Sequence, residues 1–215
     1  MGLDLIVEGC PKPGHEREWR QLLERSFADE ELSDAEVVHF QEICIPAFER
    51  IDAPRVGYDD AANEWIVSAR EPKTPEEALA VLKEFHGYRV LRLVKCDGVP
   101  KHSNGGLYEG ADETSFRGSF FNDCKDVLSK DLLNEAWNHK FPEQAVAYGK
   151  GLLAAADAAE AAGKTPKVHH TVLSRFGLSK APETVPIAEQ LEIVHEAGRW
   201  FIFWGERGHA IRAWF

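Results

Sequence analysis

The sequence predicts a single α+β domain over residues 1–215, with about five or six helices packed on a mixed, largely antiparallel sheet and a C-terminal β-hairpin. Three observations predict it. Apolar residues recur at helical spacing, as in Trp19, Leu22, Leu23 and Phe27. Shorter β-rich runs stand between those stretches, at Leu3 to Glu8 and Tyr88 to Cys96. With 215 residues, 44% of them hydrophobic and 28% charged, the chain is long and apolar enough to bury a sizeable core.

Leu3, Leu5 and Val7 alternate and make the first strand, closed by Gly9 and the turn-forming Pro11-Lys12-Pro13-Gly14. His15 to Phe27 follows as an amphipathic helix. Ser33 with Glu36 three residues later is a capping box, opening a second helix whose stripe is Val37, Phe40, Cys44 and Phe48, with Pro46 to end or kink it. Glu64 to Ala69 (EWIVSA) reads as a short strand with Trp65 and Val67 on one face. Thr74, Pro75 and Glu77 supply an N-cap, a first-turn proline and a capping glutamate for a helix to about His86, which Gly87 stops.

Tyr88 to Cys96 is expected in the same sheet as the first strand. Ser115 to Phe121 is a further short strand candidate, and Asp126 to Trp137 resumes a helical pattern. Pro142 starts a helix to about Ala162 whose alanine-rich run leaves room for close packing, with Gly163 as its stop. Thr184, Pro186, Ile187, Leu191 and Val194 give a last helix expected to end at Gly198. The aromatic runs Trp200 to Trp204 and Ala210 to Phe215 then flank Gly205-Glu206-Arg207-Gly208 as a hairpin, and a homodimer through that hairpin is the partner hypothesis.

Composition excludes several classes of function. A formal net charge of -11 repels the phosphate backbone, so nucleic acid is not a general partner. MGLDLIVEGC lacks the basic segment and long apolar run of a secretory signal, Ile6 stands where a myristoylation signal has Ser or Thr, and no segment reaches the roughly 18 apolar residues of a membrane span. A cytoplasmic protein without a membrane partner is the expectation. Cys10, Cys44, Cys96 and Cys124 form no CxxC pair and are expected reduced.

Reactive side chains concentrate in one stretch, Lys101 to Cys124 (KHSNGGLYEGADETSFRGSFFNDC). Cys124 precedes a predicted helix, whose dipole would lower its pKa, and His102 and Asp112 would serve as base and orienting carboxylate of a thiol enzyme. Asp123 and Asp126 oppose that by raising the pKa. Arg117 with the glycine-rich backbone suits an anion, but NGGLYEG is neither a Walker A loop nor a GxGxxG fingerprint, and an Asp112–Arg117 pair knitting the loop is the simpler explanation of both residues.

Among metal candidates, His15-Glu16 and His169-His170 are adjacent pairs, and His169 and His170 point apart on either a helix or a strand. Glu135 and His139 are four apart and would share a helix face. With no HExxH motif, the sequence assigns no metal ligand and names no cofactor. The favoured function is binding of a small polar or anionic ligand, or a protein partner, by the 101–124 segment through Asn104, Tyr108 and Arg117. The alternative is a thiol-dependent or metal-assisted hydrolase or transferase.

Overall fold

The computed structural model describes residues 2–47, 53–90, 93, 115–116, 118–163 and 185–215. Strand β1 (Asp4–Val7) is the middle strand of an antiparallel sheet of order β4-β1-β5, where β4 is Ser115–Phe116 and β5 is Ile211–Trp214. Leu5 and Val7 face the core, as their alternation requires. A second ladder joins β2 (Cys10–Pro11) to β3 (Cys44–Ile45). The described residues are therefore mixed helix and strand, but helix dominates and both sheets are small.

Seven α-helices stand among the described residues. Helix α1 (Glu16–Phe27) buries Trp19, Leu22 and Leu23. Helix α2 (Asp34–Ile43) opens at the expected capping box, in which Glu36 N–H donates to Ser33 Oγ at 3.4 Å and Ser33 N–H donates to Glu36 Oε2 at 2.9 Å. It ends at Ile43, three residues before Pro46. Helix α4 (Pro75–Glu84) starts at Thr74, whose hydroxyl accepts from Glu77 N–H at 3.2 Å, and Gly87 follows it at φ +86°.

Glu64 to Ala69 is not a strand. It lies in helix α3 (Asp60–Arg70), because Ala62 and Ile66, four apart, are the buried pair and β-branched propensity yields to that packing. The start of Tyr88 to Cys96 is extended but does not join the N-terminal sheet. Val56 N–H donates to Tyr88 O and Val90 N–H to Pro54 O, both at 2.9 Å, so it pairs with 54–56 beside α3 and α4. Val56, Ala62, Ile66 and Val90 form their own apolar cluster there.

After β4 the chain makes a 3-10 turn (Gly118–Asp123), so the expected strand stops at Phe116. Helix α5 (Lys130–Glu135) is shorter than expected because its cap is Ser129, whose hydroxyl accepts from Leu132 N–H. Helices α6 (Pro142–Ala161) and α7 (Ile187–Glu206) carry the main core. They run antiparallel, since Gly149 meets Gly198 and Pro142 meets Gly205.

Gly198 thus does not stop the last helix. The first arm of the expected hairpin, Trp200 to Trp204, is helical, and β5, the second arm, pairs with β1 from Asp4↔Trp214 to Val7↔Ile211. The reason is that α7 is core on nearly every side. Its buried residues include Leu191, Val194, Gly198, Phe201 and Gly205, one helical stripe, and Trp200 and Trp204 beside it. A Cβ on Gly149 would sit 2.6 Å from the Gly198 carbonyl oxygen, which is backbone and cannot yield.

Gly149→Ala should therefore cost about 1 to 3 kcal/mol and lower the melting midpoint by roughly 2 to 12 °C. Gly151→Ala, whose Cβ would meet only Leu132 Cδ2 at 3.4 Å, is the control and should melt at or above the parent. Equal midpoints for the two variants would show that α6 and α7 are further apart than described.

Candidate functional site

His102, Asn104, Tyr108, Asp112 and Arg117 lie outside the described residues, and so does Cys96. Cys124 is described, and it is fully buried. Its Sγ faces the carbonyl oxygens of Phe120 at 3.4 Å and Gln190 at 3.7 Å. Burial first, then the carboxylates of Asp123 and Glu189, push the thiol up to about 12. The following helix begins at Lys130, too far along the chain for its dipole to act on this sulfur.

Gln190, also buried, closes the same corner. It donates to Asp126 Oδ2 at 2.9 Å and Val185 O at 2.8 Å, and accepts from Asp126 N–H at 3.2 Å. Cys124 therefore occupies a clasp between α7 and the 120s.

A hollow of about 500 Å³, lined mostly by charged residues such as Glu18, Glu24, Arg25 and Glu36, lies on one side of Leu22, and a cleft of about 380 Å³ lies on the other, between α1, α2 and the end of the sheet. Leu22, Leu32, Val37 and Phe40 supply apolar walls, and Glu8, Ser26, Gln41 and Arg212 supply polar groups. Arg212 Nε donates to Glu8 Oε1 in a short ion pair, and its Nη2 donates to Ser26 Oγ at 2.9 Å. The guanidinium also stands 5.1 Å from the Phe27 ring centre.

Glu8 is held from both sides of its backbone. Its N–H donates to Ala210 O at 2.9 Å, and its carbonyl accepts from Nδ1 of the buried His209 at 2.7 Å. The next carbonyl, Gly9, accepts from Trp19 Nε1 at 2.8 Å. Ile6 stands opposite Arg212 on one side and Ser115 on the other, so the cleft arginine and the first described residue of the central segment share one row of the sheet.

His139 lies behind Arg212, stacked on Phe27 with ring centres 4.4 Å apart. Burial, then Arg212, hold its pKa below the usual histidine value, and its Nδ1 accepts from Ala213 N–H at 3.1 Å, so it is neutral with its proton on Nε2. It does not share a helix face with Glu135, because α5 ends at Glu135 and that carboxylate turns to Asn138 and Lys140. Of the adjacent pairs, His15 meets Glu18 at 3.5 Å while Glu16 caps Gly14 N–H, and His169-His170 lies outside the described residues.

Lys140 is the most deeply buried cation in the described fold. Its Nζ donates to the carbonyls of Glu135 and, at 2.8 Å, Asn138, and lies 4.5 Å from the Tyr148 ring centre. Burial lowers its pKa to about 8, against the pull of Glu135. Tyr148 is buried beside it and donates to Leu132 O at 2.8 Å.

No local sequence signal marks the cleft. Glu8 and Arg212 are separated by 204 positions, and only the β1–β5 register brings them together. No family model, no curated protein and no solved structure matches this chain.

Two outcomes follow from these burials. Iodoacetamide at neutral pH should leave Cys44 and Cys124, both held near 12, unmodified in the native protein and alkylate them in denaturant. Rapid native labelling of Cys124 would restore it as a nucleophile. For Lys140, between pH 8 and 10.5 the unfolded chain holds a proton that the folded chain has released, so its contribution to stability rises with pH across that window and is lost as pH falls through 8. The difference in unfolding free energy between wild type and Lys140→Met should therefore grow by on the order of 3 kcal/mol between about pH 7.5 and 10.5. A flat difference would mean that water reaches the ammonium.

Proposed function

We propose that the protein is a binding protein for a small amphipathic molecule, held in the cleft between α1 and α2, with the 101–124 segment adding polar contacts through Asn104, Tyr108 and Arg117. The observation that carries this is the Arg212–Glu8–Ser26 group set at one pole of an otherwise apolar cleft of about 380 Å³. The chemistry of that pole narrows the ligand. Arg212 is already neutralised by Glu8, so a bare anion entering beside it meets the Glu8 carboxylate as well.

A head group that both donates and accepts suits the pole better. An amide or hydroxyl can donate to Glu8 and accept from Arg212, Ser26 or Gln41, while an aliphatic or aromatic body displaces water from Leu22, Leu32, Val37 and Phe40. Ser115, within the central segment, pairs with Ile6 across β1 from Arg212, which supports a contribution from that segment.

The test is thermal melting with octanamide and, as the anionic arm, octanoate. At about one hundred times its dissociation constant a ligand adds roughly 2.7 kcal/mol, or about 5 to 10 °C for a chain of this size. Octanamide should shift the wild type and not Val37→Glu, whose side chain is 41% exposed at the cleft wall, so its replacement leaves the core intact. A larger shift with octanoate would change the proposed head group to an anion. An equal shift in Val37→Glu, or none with either compound in the wild type, would remove the cleft as the site.

A further inference from the structure

A second site stands on α6 and α7, away from the cleft. Asp157 and Glu160 are three apart on α6, and His195 comes from α7. One ligand atom from each lies within 4.8 Å of the others, with His195 Nε2 at 3.2 Å from Glu160 Oε1. We propose that these three side chains bind a borderline divalent cation of the zinc class and so tie the C-terminal end of α6 to the middle of α7.

Three features support this. The first is the donor set, one imidazole nitrogen and two carboxylate oxygens, which suits zinc, cobalt or nickel; calcium and magnesium prefer oxygen alone. Donors on a shell of about 2.1 Å radius lie roughly 3 to 4 Å apart, so the observed spacing closes with small rotamer changes.

The second feature is charge. Among the described residues Asp157 forms no ion pair and Glu160 meets His195, so the two carboxylates share one turn of helix with no described lysine or arginine paired to either. Like charges at this spacing repel, and a cation removes that repulsion.

Rigidity is the third. The two helices that carry the donors touch through backbone at Gly149 and Gly198, which fixes the donor positions relative to one another before any ion arrives. Asp157 and Glu160 are exposed and His195 is partly exposed, so an ion enters from solvent and keeps water in its remaining positions.

Isothermal titration of the full chain with zinc chloride tests the proposal, with magnesium chloride as the oxygen-selective control. One zinc per chain should bind, magnesium should not compete, and His195→Gln should weaken zinc by about tenfold or more. Asp157→Asn, which breaks no contact in the described structure, should weaken it as well and keeps the test valid if His195→Gln alone lowers stability. Absence of zinc binding at millimolar concentration, or binding unchanged in both variants and therefore held by other histidines such as His15 and His39, would overturn it.

Discussion

The backbone contact of α6 with α7 is the constraint to which the rest of the described fold is fitted. Two helices can approach this closely only where neither carries a Cβ, and Gly149, Gly198 and Gly205 provide those positions in antiparallel register. Large side chains then fill the flanks of the contact. Trp200, Phe201 and Trp204 are fully buried, and Tyr148 packs edge-on against Phe201 with ring centres 4.8 Å apart. Because Gly205 sits against Pro142, α7 ends beside the start of α6, and Gly208 at φ +82° turns the chain into β5. The helix pair thereby decides where the last strand begins.

From that point the geometry of the cleft follows. Strand β5 reaches β1 in a register that sets Arg212 across from Ile6, and the Ala210 carbonyl and the His209 ring fix Glu8. The resulting ion pair is about one-fifth exposed at each side chain, 22% for Arg212 and 18% for Glu8. That position lies between two regimes. A fully exposed pair contributes about 0 to 1 kcal/mol, whereas breaking a buried one leaves a charge that costs about 3 to 5 kcal/mol. The hydrogen bond from Arg212 to Ser26 and its contact with Phe27 compensate part of the guanidinium's lost hydration, so the cation is stable at the cleft pole without an external anion.

Much of the helical structure was legible because its signals are local. The capping box at Ser33, the Thr74-Pro75-Glu77 start and the Pro142 start each lie within four residues of the boundary they define. Signals with two meanings point the wrong way when taken alone. Gly198 looks like a stop in sequence, but helical spacing from Leu191 through Phe201 to Gly205 continues across it, and only the presence of α6 distinguishes a packing glycine from a terminating one. Trp65-Ile66-Val67 has strand propensity, yet the Ala62 and Ile66 contact decides for helix. The cleft and the Asp157–Glu160–His195 group were not legible at all, because each is assembled across long separations in the chain. The central polar stretch is conspicuous in composition, and Cys124 at its end is a core residue.

That last point extends to the other shifted groups. Burial is the leading cause of the shifts at Lys140, Cys44 and Cys124, whereas Glu36 is lowered to about 2 by Arg25 and then by Ser33, whose helix cap it completes. At Lys140 and Cys124 the polar atom faces backbone carbonyls, those of Glu135 and Asn138 and those of Phe120 and Gln190. A shifted pKa marks a functional site when a specific charge partner in an open cleft produces it. Here Lys140 and Cys124 are shut away from solvent, while the cleft pole and the Asp157–Glu160–His195 group combine access with convergent polar groups. The strongly perturbed groups of the interior are held there by packing, and both proposed sites lie instead at partly exposed polar junctions.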